Sequence, residues 1–425
     1  MRIIKRELYL SKIRKYYDID LIKVLTGVRR CGKSIILNQI MDELKLKVAE
    51  NHIIYMNFED FEFEEINTAK KLHEYIKPFI KDSKKYYLFF DEIQHVKDFE
   101  KVLASFKATL NCSIFVTGSN STLLSGELAT LLVGRTVEFQ IMPFSYQETI
   151  ELFGINEKPL PENFIIDYIK WGGMPQRFVF EDENEIKKYL EDVFKGIVEK
   201  DIYKRDSNIE KYKFNTISSY VLSNAGKEFS AEKITNYYNT QNEKNKSGIE
   251  KKTIYNYVEK LEKAYLISRV KRFNIVGKEV LKTIEKHYAI DTGFRTINTN
   301  LINYEDTFFL ENIIYNELIL RGYTVYTGKT YKGEIDFVVI DGKKKCFIQV
   351  SYLMPSEETI KREFDAFKPI KDASPKYVLS LDKIDLSHDG ITHINIEDFL
   401  LHKKDLYFAW IHKKKIFRKQ KKYPK

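Results

Sequence analysis

Cysteine is scarce: Cys31, Cys112 and Cys346 are the only three in 425 residues, and they stand far apart. That spacing excludes a disulfide framework and a thiolate zinc site. No apolar run approaches the ~18 residues that cross a bilayer, and no apolar core follows the Met-Arg-Ile-Ile-Lys start. A membrane partner is therefore not expected, and the expected location is the cytoplasm. Internal repeats are also missing, so the chain does not read as a repeat array.

What is present points to a soluble, several-domain protein. Hydrophobic residues make up 43% and charged residues 31%, with a generous 28 Tyr and 29 Phe, so disorder is not the default. The length exceeds what one compact core organises and implies about three folded units. Seventy Lys and Arg against 61 Asp and Glu give a mild excess of +9, compatible with nucleic acid. From His412 to Lys425 there are eight Lys and Arg in fourteen residues and no acid, which reads as a solvated tail or a phosphate-binding arm.

From Leu21 to about Gln140 short apolar strands alternate with amphipathic helices, the pattern of a parallel sheet between helical layers. The candidate strands are Ile22–Thr26, Ile53–Asn57, Tyr86–Asp91, Ser113–Thr117 and Thr136–Ile141. Asn156-Glu157-Lys158-Pro159-Leu160-Pro161 then separates this unit from a helical one, read as a lid. Between Asn215 and Phe273 the order helix, helix, polar loop, helix, strand is that of a winged helix-turn-helix. A further α/β unit is expected from Phe308 onward.

The first strand runs into Gly27-Val28-Arg29-Arg30-Cys31-Gly32-Lys33-Ser34, a G-x-x-x-x-G-K-S loop, and a helix over Ile35–Lys45 should follow. Backbone N–H groups and a helix N-terminus present positive partial charge to phosphate, so this loop and Ile35 are expected to bind ATP. Lys33 should reach the β and γ phosphates, and Ser34 should offer its hydroxyl to Mg2+. Tyr86-Tyr87-Leu88-Phe89-Phe90-Asp91-Glu92 is an apolar strand ending in two acids, with Asp91 placed for the metal and Glu92 for activating water. Ile114-Phe115-Val116-Thr117 leads to Gly118-Ser119-Asn120, where Ser119 or Asn120 would sense the γ-phosphate. Arg135, just before the last strand, could project towards a neighbouring subunit's nucleotide in a homo-oligomer; the alternative is a surface Arg at a helix end.

These motifs, with Trp171-Gly172-Gly173-Met174-Pro175, Asp291-Thr292-Gly293 and Glu334-Ile335-Asp336-Phe337-Val338, resemble the AAA-type ATPases of archaea and bacteria in which a winged helix and a restriction-endonuclease-like domain follow the motor. The resemblance covers all but the basic tail. It implies an α/β P-loop core over 1–155, a helical lid over 156–210, a winged helix over 211–300, a nuclease-like domain over 301–400 and a tail over 401–425. It also implies a place for Gly173 and Pro175 near the adenine, although the residues alone could equally form an ordinary turn.

In the winged-helix segment Ile254, Tyr257, Val258 and Leu261 share one face of a helix over Thr253–Lys263, and Thr253, Asn256 and Lys260 face away. Double-stranded DNA is one expected partner, with Arg269, Lys271 and Arg272 reaching phosphates; a purely structural wing and a protein partner are the alternatives. The last domain resembles PD-(D/E)XK nucleases through Glu311, the Gly333-Glu334-Ile335-Asp336 turn and strand, and Cys346-Phe347-Ile348-Gln349-Val350-Ser351. Active members carry Lys where Ser351 stands, so an inactive fold holding metal weakly through Asp336 and Gln349 is expected. Lys329 or Lys343 to Lys345 are the substitutes that an active nuclease would need.

Overall fold

The computed structural model describes residues 2–119, 132–241, 248–299 and 306–408. Asn120, most of the polar loop after Thr240 and the basic tail fall outside them.

Five parallel strands form the first sheet: β1 (Ile22–Thr26), β2 (Ile53–Asn57), β3 (Tyr86–Asp91), β4 (Cys112–Thr117) and β5 (Thr136–Gln140). Their order is β2-β3-β4-β1-β5, every pairing parallel. β1 and β3 are buried along their whole length, as strands covered by helices on both faces must be. The order places β4 between the phosphate-loop strand and the acidic strand. The loops after β1, β3 and β4 therefore leave the same edge of the sheet.

The helical unit expected as a lid, and called so below, follows with helices Phe164–Trp171 and Glu183–Ile197, the latter running into a π-helical turn, Val198–Tyr203. Three helices come next, Lys211–Ser223, Ala231–Gln241 and Lys251–Lys263. The last of these buries Ile254, Tyr257, Val258 and Leu261 together. Its outward Lys260 is tied to Asp206 at 2.7 Å.

The hairpin that follows differs from a free wing. β6 (Ile267–Asn274) and β7 (Glu279–Ala289) pair antiparallel, but β6 also pairs parallel with β8 (Thr324–Lys329). With β9 (Glu334–Asp341), β10 (Lys344–Val350), β11 (Lys376–Ser380) and β12 (Ile391–Asn395) they make one seven-stranded sheet, β12-β11-β10-β9-β8-β6-β7. The segments expected on either side of residue 300 share this sheet. Arg272 is consequently buried and bonded to Glu228 and Glu334, and Arg269 pairs with Glu262 and Glu285. Two of the three basic side chains expected to reach DNA phosphates are thus engaged inside the chain, and Lys271 alone is exposed.

The lid turn is fixed by Asp291. Its carboxylate accepts from Gly173 N at 2.8 Å and Gly293 N at 2.9 Å. Gly172 has φ +72°, and a Cβ there would sit 2.0 Å from Asp291 Oδ1; one on Gly173 would sit 2.0 Å from the Phe144 carbonyl. Only glycines admit so close an approach. Burial pushes the Asp291 carboxyl up to about 6, against the pull of the Gly173 and Gly293 N–H groups and of Arg177.

A carboxyl raised above its unfolded value binds its proton more tightly in the folded chain, so its contribution is full below about pH 4 and is lost as pH rises through about 6. The shift corresponds to roughly 2–3 kcal/mol. Asp291→Asn should remove this component: the wild-type-minus-variant difference in unfolding free energy, from urea titrations, should fall between pH 4 and 6 and level off above. A difference flat across that window would contradict the assignment.

Candidate functional site

The phosphate loop occupies residues 27–32 between β1 and the helix Lys33–Lys45. Gly27 passes under Ile141, whose carbonyl would lie 2.2 Å from any Cβ, and Gly32 at φ +103° turns the chain into the helix. Val28 and Cys31 are fully buried beneath the loop, and Ser34 is exposed at the helix start. Burial raises the Cys31 thiol, so it is a packing residue rather than a nucleophile.

Lys33 donates from Nζ to the carbonyls of Gly27 (3.0 Å) and Val28 (3.2 Å) and stands 3.9 Å from Glu92 Oε1. Asp91 is buried at the end of β3, where Thr117 Oγ1 donates to Oδ1 and Tyr55 OH donates to Oδ2 at 3.2 Å. Glu92 turns through φ +53°, its N–H donating to Thr117 Oγ1 at 2.9 Å, and the Gln94 amide donates to its carboxylate. Thr117 thereby sets both acids from the neighbouring strand. An exposed hydroxyl at Ser34 and a buried carboxylate at Asp91 are oxygen donors of the kind Mg2+ takes, so this pair fits that ion.

Ser119, at the end of β4, is buried and donates to Asp201 Oδ1 at 2.9 Å. Asp201 lies in the π-helical turn of the lid and also accepts from Arg29 Nε at 2.8 Å. Arg29 reaches Glu59 as well, at 2.9 Å, while Arg30 donates to Gln176 of the lid at 2.9 Å. The two arginines of the loop are thus bound to protein groups. Asp201 joins the phosphate loop, the β4 loop and the lid, a junction that nothing in the local sequence announces.

Beside the loop lies a cavity of about 270 Å³ lined by Ile3, Ile4, Ile35, Phe144, Leu152 and Pro175, with Gly32 at its edge. Pro175 therefore faces the space next to the loop. Gly173 is buried in the turn, bonded to Asp291 and Phe144, and does not line this cavity. Arg135 is exposed, and its carbonyl accepts from Ile22 N, which puts it at the sheet edge opposite the phosphate loop.

Arg6 organises the region, and no motif in the sequence around it marks that role. Its guanidinium is 1% exposed. It meets Glu148 through Nε (2.8 Å) and Nη2 (2.7 Å) and donates to the carbonyls of Cys31, Met142 and Pro143. Glu148 in turn closes a capping box with Ser145 at the start of helix Tyr146–Ile155.

The expected metal pair of the last domain is set differently. Asp336 Oδ2 accepts from Val350 N at 2.7 Å, and Gln349 Oε1 faces Asp336 N at 3.4 Å. Desolvation and the nearby Glu311 carboxylate push the Asp336 carboxyl well above the usual range. Among the described residues no group of three or more His, Cys, Asp or Glu is arranged to hold a metal ion. The cation beside these acids is Lys286 of β7, 3.0 Å from Glu311 and 2.5 Å from Glu334. An ammonium thus stands beside the acids that neighbour Asp336 and Gln349, the pair expected to hold metal weakly.

Residues 20–150 match the AAA domain family, and residues 163–304 match a family described as Domain of unknown function (DUF8612). With the parallel five-stranded sheet and its loop, the first match defines a P-loop AAA-type ATPase domain. An uncharacterised protein of Haemophilus influenzae is 35% identical over 405 residues, 94% of this chain and 99% of that one. The uncharacterised protein MJ1544 of Methanocaldococcus jannaschii is 33% identical over 89% of this chain and 85% of its own. The chain belongs to the family of these two proteins. Among solved structures, Orc1 of Aeropyrum pernix in complex with DNA (12% identity, TM-score 0.31, 70% of this chain and 92% of that one) and AMPPCP-bound DnaA of Aquifex aeolicus (13%, 0.32, 61% and 89%) are similar at a level that bears on nothing further. No helix among the described residues is long and apolar enough to cross a membrane.

Replacing Arg6 by Met should strand a buried Glu148 carboxylate and three carbonyls, lowering unfolding free energy by about 3–5 kcal/mol. Arg6→Met with Glu148→Gln should recover part of that loss. Equal stability of wild type and Arg6→Met in urea titrations would remove Arg6 from this role.

Proposed function

We propose that this protein binds and hydrolyses ATP, and that its nucleotide state moves the lid together with a winged-helix segment and an inactive nuclease-like domain. One observation carries the reading: the phosphate loop, the acid pair Asp91 and Glu92, and Ser119 leave the same edge of one parallel sheet, beside an apolar cavity. The cavity, with Pro175 and Ile35 in its wall, suits the flat apolar face of adenine.

Lys33, bonded only to carbonyls of its own loop and lying near Glu92, would transfer its donors to the β and γ phosphates. Ser34 and Asp91 would hold Mg2+, which when bound neutralises charge on those phosphates. Glu92 would take the proton of the attacking water, with Thr117 fixing its backbone and Gln94 its carboxylate before substrate arrives. Ser119 and Asn120 would read the γ-phosphate, and Ser119 carries its hydrogen bond straight to Asp201 in the lid. Arg135, exposed at the far edge, would serve the site of a neighbouring copy in a homo-oligomer.

Duplex DNA is the partner to test first, by way of the exposed Tyr255 and Asn256 on the Lys251–Lys263 helix. ATP turnover stimulated by duplex DNA supports it; turnover indifferent to DNA favours a slow switch acting on a protein.

Lys33→Ala should abolish tight ATP binding. Glu92→Gln should retain binding while turnover drops by at least ~100-fold, since loss of a positioned base removes about 10²–10⁴ in rate. Fluorescent-nucleotide titration and phosphate release separate the two effects. Wild-type turnover by Glu92→Gln would withdraw its assignment as the base.

A further inference from the structure

The C-terminal half holds a buried charge cluster that the ATP site does not use. Glu311 on the helix Asp306–Leu320, Glu334 at the start of β9 and Asp336 two residues later converge on Lys286 of β7. The Lys286 side chain is 8% exposed and that of Glu311 4%. Tyr288, on the same side of β7, donates to the Glu311 carboxylate. Arg272 of β6 completes the set, 3.0 Å from Glu334 and 2.6 Å from Glu228.

This is the place where a nuclease-like fold would carry a divalent ion. Such an ion needs carboxylate oxygens at about 2.0–2.6 Å around one point. Here the Glu311 Oε1 atom faces both the ammonium and the Tyr288 hydroxyl, and Glu334 lies between Lys286 and Arg272. Asp336 accepts a backbone bond from Val350. The ammonium brings one positive charge and three donors to the gap between the Glu311 and Glu334 carboxylates.

We propose that Lys286 is the resident cation of this cluster: it shuts the nuclease-like site to divalent metal and fastens the β6–β7 hairpin to the Asp306–Leu320 helix. Each function follows from the same bonds. The ammonium arrives from a strand that precedes the nuclease-like segment in the chain, so the site is closed by a side chain from another strand of the shared sheet. While the hairpin stays in the seven-stranded sheet, the acids are neutralised and metal has no place among them. Taking the ammonium away leaves Glu311 without its cation and Glu334 with Arg272 alone, which is a demand for another cation.

The test measures Mn2+ binding by electron paramagnetic resonance on the full chain without nucleotide, so the phosphate loop retains no metal and the outcome does not depend on the ATPase reading. Wild type and Glu311→Gln should bind Mn2+ equally poorly. Lys286→Met should gain one site at least tenfold tighter than any in wild type, and the double variant Lys286→Met, Glu311→Gln should lose it. Mn2+ should also raise the melting temperature of Lys286→Met and leave that of wild type unchanged. Mn2+ bound by wild type and lost in Glu311→Gln would overturn the proposal, and that comparison needs no Lys286 variant. A folded Lys286→Met protein that gains no site would overturn it equally.

Discussion

The guanidinium of Arg6 is the interaction on which the nucleotide-site architecture rests. A planar, permanently charged group with five donors can satisfy a carboxylate and several carbonyls at once, where an ammonium would serve fewer in fixed geometry. From one buried position it holds the carbonyl of Cys31 in the phosphate loop, the carbonyls after β5 and the capped start of the next helix. It also stacks over Tyr9 and Phe144 at 4.7 and 5.0 Å. Without it, the N-terminal segment that walls the apolar cavity would lose its bond to Cys31 of the loop and keep its bonds to Gln39 in the helix beyond.

A second constraint joins the lid to the sheet. Asp291 arrives from beyond β7 to accept the N–H of Gly173, while the Gly173 carbonyl accepts from Phe144 N after β5. The lid turn is therefore held between two distant parts of the chain, and its glycines are there because backbone and carboxylate come within the space a Cβ would fill. Asp201 makes a third link, between loop and lid, through Arg29 and Ser119.

Much of this was legible in the residues. The five strands of the first sheet were expected within one residue of where they lie, because strands buried on both faces are short continuous apolar runs. The phosphate loop and the acid pair were legible for a different reason: their chemistry fixes residue types at fixed spacing. Arg6, Asp201 and Lys286 were not, since each acts on partners far along the chain, 142 residues away for Arg6 and Glu148. Lys286 did leave one trace. It shares a strand face with Tyr288, and a lysine on the same side as a buried aromatic asks for an acid. The joining of the β6–β7 hairpin to the last sheet was hidden for the same reason, because strand pairing across a long connection leaves no local pattern.

That joining has a consequence for how the molecule can be divided. β8 is flanked by β6 on one side and β9 on the other. A fragment that begins after residue 300 would carry β8 as a naked margin, with the N–H and C=O groups around Thr327 to Lys329 left free of β6. Margins of that kind recruit strands from other molecules. A shortened chain of this sort would be prone to self-association through β8, and an evolutionary cut at that point would have to supply a substitute strand.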